Sequence, residues 1–108
     1  MGWDDFHHRT QERAYFKYLN RIHNNIPGNS FQDWEEAERE QCIEERIREE
    51  AFLHSRNNGY DPLTNWVTAQ NEIMQRLNFL AYYLHEANMH RTPQENWIEA
   101  QKLYISQF

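Results

Sequence analysis

The chain has 108 residues, 39% of them hydrophobic and 15% aromatic, with three glycines, three prolines, one cysteine and a net charge of −6. That length predicts one domain, residues 1–108, with a modest core that large aromatic side chains can close. Scarce turn formers argue against a sandwich or barrel, the acidity argues against direct contact with nucleic acid, and the lone Cys42 excludes an internal disulfide and fits a reduced, cytoplasmic setting.

The first predicted helix runs over about 5–24, starting after Asp4 or Asp5, and carries Phe6, Ala14, Tyr15, Tyr18, Leu19 and Ile22. Arg21 and His23 suit its C-terminus. Residues 24–28, Asn-Asn-Ile-Pro-Gly, form the longest loop.

A second helix over 30–57 opens at Asn29, with Gln32 in the reciprocal capping position. Its apolar stripe is discontinuous. Trp34 and Ala37 point one way, while Ile43, Ile47 and Ala51 form a row about half a turn away. Either the helix bends near Gln41-Cys42, or one long helix serves two neighbours. Arg56-Asn57-Asn58-Gly59 reads as its stop.

The third helix, 62–89, has the clearest signal. Trp66, Ala69, Ile73, Leu77, Leu80, Leu84 and Ala87 are spaced three or four residues apart throughout. Asp61 caps it and Pro62 takes the first helical position; its end is expected near Asn88. The fourth helix, 93–107, opens on the capping box Thr92-Pro93-Gln94-Glu95 and carries Trp97, Ala100, Tyr104 and Phe108 in one stripe. The fold class is therefore all-α: four antiparallel helices, two of them long.

One pattern recurs through these elements. Trp34, Trp66 and Trp97 are each followed three residues on by Ala37, Ala69 or Ala100, and each is preceded five residues earlier by Asn29, Asp61 or Thr92. Upstream, Arg9, Arg46 and Arg76 precede Ala14, Ala51 and Ala81, and each alanine is followed by a large apolar pair. The period predicts helical-hairpin units over roughly 9–41, 46–74 and 76–105, overlapping so that three hairpins need four helices. In this reading the tryptophans and alanines are structural anchors, the indole giving bulk and the alanine room for a close helix partner.

The unit resembles the small bacterial family catalogued as domain of unknown function 2934. The segments RIREEAF at 46–52 and NWVTAQ at 65–70 carry the likeness best. RLNFLAY with NWIEAQ, and RTQERAY with DWEEAE, match less completely. Together they cover roughly 9–105. The resemblance implies a helical fold and brings no activity or catalytic residues. Where that family usually has His before Trp, this chain has Asp33, Asn65 and Asn96.

The sequence offers no catalytic constellation. It holds no HExxH, P-loop, dinucleotide fingerprint or nucleophile elbow, and none of the Glu-x-x-His pairs of a di-iron bundle. Glu50/His54 and Glu86/His90 read as ordinary pairs on a helix surface. No apolar run approaches the roughly 18 residues of a membrane span. No signal peptide is evident, and Phe6 stands where a myristoylation signal needs Ser or Thr. Neither cofactor nor metal is predicted.

Two features point to protein partners. Residues 35–50 hold eight Glu against three Arg, a net −5. The run reads either as a solvated face with internal Glu–Arg pairs or as a docking face for a basic protein, with Glu36, Glu40, Glu44 and Glu45 as contacts. Surplus aromatics are the second feature. Tyr82 and Tyr83 cannot both face the core of Leu80 and Leu84, so one of them, with Phe79, Trp3 or Phe16, is expected on another apolar face. The expected function is a non-enzymatic interaction module that binds another protein or forms a homodimer. Two alternatives stay open: an acidic inhibitor of a basic, nucleic-acid-binding protein, and a small metal- or ligand-binding bundle.

Overall fold

The computed structural model describes residues 3–59, 61–87 and 90–107. It has four helices: α1 (Trp3–His23), α2 (Ser30–Asn58), α3 (Pro62–Ala87) and α4 (Pro93–Ile105). No strand occurs among the described residues. The all-α hairpin architecture expected from the periodicity is thus present, with α1 starting earlier than its aspartates indicate. The predicted end of α3 at Asn88, the side chain of Trp3 and the stripe residue Phe108 lie outside the described residues.

Local chemistry sets the helix ends. An N-terminus leaves amides without intrahelical partners, and a side-chain oxygen one residue upstream can accept from one of them. Asn29 Oδ1 accepts from Gln32 N at 2.9 Å, Asp61 Oδ1 from Thr64 N at 2.9 Å and Thr92 Oγ1 from Glu95 N at 3.1 Å. The Glu95 carboxylate accepts a hydrogen bond from the Thr92 hydroxyl at 3.1 Å, where in a full capping box it would accept from the Thr92 backbone amide. The bond from the Thr64 amide, followed by that from its hydroxyl, holds the Asp61 carboxyl below its ordinary pKa of 3.8.

Helix α1 closes in a left-handed turn. Asn25 has φ 55°, Ile26 N donates to Arg21 O at 2.8 Å and Asn25 N to Ile22 O at 3.4 Å. This is the two-bond arrangement that satisfies the last carbonyls of a helix. Helix α2 ends with Gly59 at φ 69°, its amide bonded to Ser55 O at 3.1 Å.

The chain forms two compact units, Met1–Cys42 and Ile43–Phe108, and the boundary falls inside α2. In the second unit α2, α3 and α4 contribute to one apolar core. Ile43 and Ile47 meet Ala69, Ile73, Leu77 and Tyr104, with Ala51, Trp66, Met74, Leu80, Trp97 and Ile105 packed at its margin. Helix α4 packs along α3. The first unit is a hairpin of α1 and the start of α2, and its buried residues are Thr10, Asp33, Ala37 and Gln41. Helix α2 is continuous, and its buried row changes at the boundary from Asp33-Ala37-Gln41 to Ile43-Ile47.

The repeat is visible in the burial pattern, with one difference from its predicted form. Ala37, Ala69 and Ala100 are completely buried. The three tryptophans are half-buried, and the residue ahead of each, Asp33, Asn65 or Asn96, is the buried one. A step of one residue turns a side chain by about 100°, and residues four apart share a face, so the alanine row continues back to the polar residue. An indole with one apolar face and one N–H suits the margin of a core. Trp34 Nε1 donates to Glu38 at 3.1 Å, and its ring lies 5.3 Å from that of His7. The Arg48 guanidinium lies 5.8 Å from the Trp66 ring centre.

Candidate functional site

Helix α3 gives its inward side to Ala69, Ile73 and Leu77, so residues turned away from that row face water. Phe79, Tyr82 and Tyr83, three and four residues apart, share an outer face and are 57%, 59% and 66% exposed. The Tyr82 and Tyr83 rings meet edge to face at 6.0 Å. Both tyrosines are outside the core, where the sequence required only one to be. From Pro62 to Leu84 the helix holds two charged residues, Glu72 and Arg76, and each reaches a residue of α2. Glu72 Oε2 lies 3.1 Å from His54 Nε2, and Arg76 Nη1 lies 3.8 Å from Glu50 Oε1. Beyond Leu84, Glu86 follows Tyr82 by four residues and Tyr83 by three, so one exposed carboxylate lies on the same outer face. The three rings expose about 300 Å² of largely apolar surface.

The upstream half of every repeat shows the same outward display. After Ala14, Ala51 and Ala81 come Tyr15-Phe16, Phe52-Leu53 and Tyr82-Tyr83, and all six are exposed. These pairs are surface residues, and the inward position is the one after each arginine: Thr10, Ile47 and Leu77.

The acidic run is engaged within the chain over part of its length. Lys17 Nζ donates to Glu36 and to Glu40, each at 2.9 Å, and Arg13 Nη1 lies 3.6 Å from Glu40. Burial alone would lower the pKa of Lys17. The two carboxylates outweigh it and hold the ammonium above the ordinary 10.5. Arg21 donates from Nε and Nη2 to Asp33 at 3.2 and 2.9 Å and from Nη1 to Gly28 O at 3.1 Å. The hydrogen bonding by Asp33 raises the Arg21 pKa, holding the guanidinium charged. Glu44 and Glu45 are half-buried on α2, with Glu45 Oε2 3.9 Å from Arg48 Nε. Glu36 is the most exposed of the four candidate glutamates.

A grouping that the sequence did not reveal joins α2 to α3. Glu50, His54 and Glu72 bring ligand atoms within 4.8 Å of one another. The helical spacing put Glu50 beside His54, but Glu72 comes from another helix, and no local pattern announces it. Arg46 Nη2 donates to Glu50 Oε1 at 3.3 Å, and Arg76 approaches the same oxygen. Two guanidiniums therefore balance the carboxylate that a cation would need, and the grouping is satisfied as an ion-pair network. Asn96, 2% exposed, has neither side-chain polar atom hydrogen-bonded. Cys42 is a half-buried thiol.

Among the described residues no helix is long and apolar enough to cross a membrane. No family model, curated protein or solved structure matches this chain.

Proposed function

We propose that this chain is a non-enzymatic interaction module that binds another protein through the outer face of α3. The observation that carries this reading is the exposed aromatic triplet Phe79, Tyr82 and Tyr83 on a helix where Glu72 and Arg76 are both engaged by α2 and Glu86 is the one charge beside the rings. Interface centres are enriched in aromatics and depleted of charge. Tyrosine and phenylalanine also give large contact area for few rotatable bonds, which suits them to carry binding energy. The engagement of Glu36 and Glu40 by Lys17 and Arg13 favours this face over the acidic run as the principal contact.

A photo-crosslinking residue placed at Tyr82 tests the proposal. In cells of the native organism it should give one adduct of defined mass, lost on Phe79→Ser and absent with the same probe at the exposed Gln70. The adduct should survive high salt, because apolar contact is weakly screened. An adduct abolished by salt and by Glu44→Lys with Glu45→Lys, yet indifferent to Phe79→Ser, would transfer the function to the acidic run.

A further inference from the structure

The geometry points to α1 as a self-association helix, whose outer stripe of Tyr15, Tyr18, Leu19 and Ile22 packs antiparallel against the same stripe of a second copy of this chain. These residues fall on one side of the helix within two turns. They are 58%, 41%, 41% and 55% exposed. Phe16, edge to face with Tyr15 at 6.1 Å, widens the patch. The opposite side of α1 presents Arg13, Lys17 and Arg21 to the acids of α2. The hairpin is thus apolar outside and ionic inside. Attraction between the cations of α1 and Asp33, Glu36 and Glu40 fixes which face turns inward and leaves the stripe to another molecule.

Charge identifies the occupant. A two-fold contact lays a surface on itself and doubles whatever charge that surface carries. A chain of net charge −6 pairs with itself most readily over a face that carries no net charge of its own. This stripe has none. At its flanks Gln11 and Asn20 are uncharged, and Glu12 is bonded by His8 at 3.0 Å. Arg13 and Lys17 are bound on the far side, and Arg21, whose guanidinium lies 5.6 Å from the Tyr18 ring centre at the edge of the stripe, is held by Asp33, so an acidic partner finds only committed cations here and a basic partner only the paired Glu12.

The stripe is also complementary to itself. Its N-terminal half is aromatic, Tyr15 and Tyr18, and its C-terminal half aliphatic, Leu19 and Ile22. Antiparallel pairing sets each tyrosine on an aliphatic side chain, and it opposes the helix dipoles favourably. The area fits as well. Five large side chains about half exposed offer on the order of 500 Å² of apolar surface per chain. A standard interface takes about 800 Å² per partner, about three-fifths of it apolar.

Sedimentation of the full chain tests this. At about 100 μM, above the Kd of even a weak interface of this size, the wild type should be a dimer that dissociates on dilution. Leu19→Glu should raise the dissociation constant on the order of 100-fold with helicity unchanged, since the residue is exposed. Tyr83→Glu, on α3, should leave the dimer intact and so separates this contact from the proposed partner face. In a Cys42→Ser background, Leu19→Cys should crosslink to itself. Tyr15→Cys should not, because antiparallel pairing sets the two copies about 10 Å apart along the axis. A wild-type monomer at that concentration, a dimer indifferent to Leu19→Glu, or self-crosslinking at residue 15 would overturn the proposal.

Discussion

The two units solve the same packing problem with opposite materials. In the second, α2, α3 and α4 meet through Ile43, Ile47, Ile73, Leu77 and Tyr104. In the first, α1 meets α2 through Lys17, Arg13 and Arg21 against Glu36, Glu40 and Asp33, beside buried Thr10, Ala37 and Gln41. Apolar burial stabilises by about 1.5–3 kcal/mol per large side chain, whereas a solvent-accessible ion pair such as Lys17–Glu36 is worth roughly 0–1 kcal/mol, and in a buried one such as Arg21–Asp33 desolvation offsets much of the attraction. The second unit therefore carries its own driving force. The first has specific geometry but little to hold it closed, and its own large apolar groups face outward. One repeat can bury its large apolar groups in a core or leave them on the surface, depending on whether the inward row is aliphatic, as at Ile47 and Leu77, or polar, as at Thr10 with Arg13, Lys17 and Arg21 beside it.

The largest expected effect tests the core. Leu77 is completely buried among the three helices of the second unit. Leu77→Ala should cost about 2–5 kcal/mol in urea unfolding, the transfer term plus the cavity. A loss below 1 kcal/mol, on the scale of a surface change, would show that the second unit does not depend on this cluster.

An intermediate effect probes the first unit alone. Gly28 has φ 150°, and a Cβ there would lie 2.8 Å from Arg21 Cδ. Its carbonyl also accepts from Arg21. Gly28→Ala therefore strains the loop and pushes the guanidinium off Asp33, at a cost of at least about 1 kcal/mol. Hydrogen exchange should show lost protection in α1 and none lost in α3. Equal loss in both helices would mean that the units open together, and the contrast between them would fail.

How far the sequence foretells this molecule depends on the range of the interaction. Asn29, Asp61 and Thr92 were legible as caps because a cap needs partners only three residues away. The Asn-Asn-Ile-Pro-Gly loop and the Gly59 stop follow from equally local chemistry. Phe79, Tyr82 and Tyr83 were legible as surplus because Leu80 and Leu84 already claim the inner side. The buried row was misplaced by one residue at each tryptophan. Polarity argues against burying Asn65 or Asn96, and only the fit of neighbouring helices decides otherwise. The orientation of α1 was equally hidden. Its apolar stripe and its cationic stripe are both regular, and the acids of α2, 12–23 residues downstream, select the cationic one. The contact of His54 with Glu72 likewise crosses from one helix to the next.

The smallest expected effect separates the two units by pH. Lys17 is held above 10.5 in the folded chain by Glu36 and Glu40. A raised folded pKa means that the folded state retains this proton more tightly than the unfolded chain does. The stabilisation is complete below pH 10.5 and is lost as pH rises through the folded value. Its magnitude is modest, because the carboxylate ends of this network, at Glu36 above all, are open to solvent and screening. Hydrogen-exchange protection in α1, measured against α3 as pH is raised above 10.5, should fall first in α1. Lys17→Met, which retains an unbranched apolar stem, should lower α1 protection at neutral pH and flatten this part of the alkaline dependence. If Lys17→Met leaves the alkaline loss in α1 as steep as in the wild type, the lysine is not what closes the hairpin. The first unit must then be held by its arginines, Arg21 on Asp33 and Arg13 on Glu40, and the Arg21 guanidinium keeps its proton throughout that range.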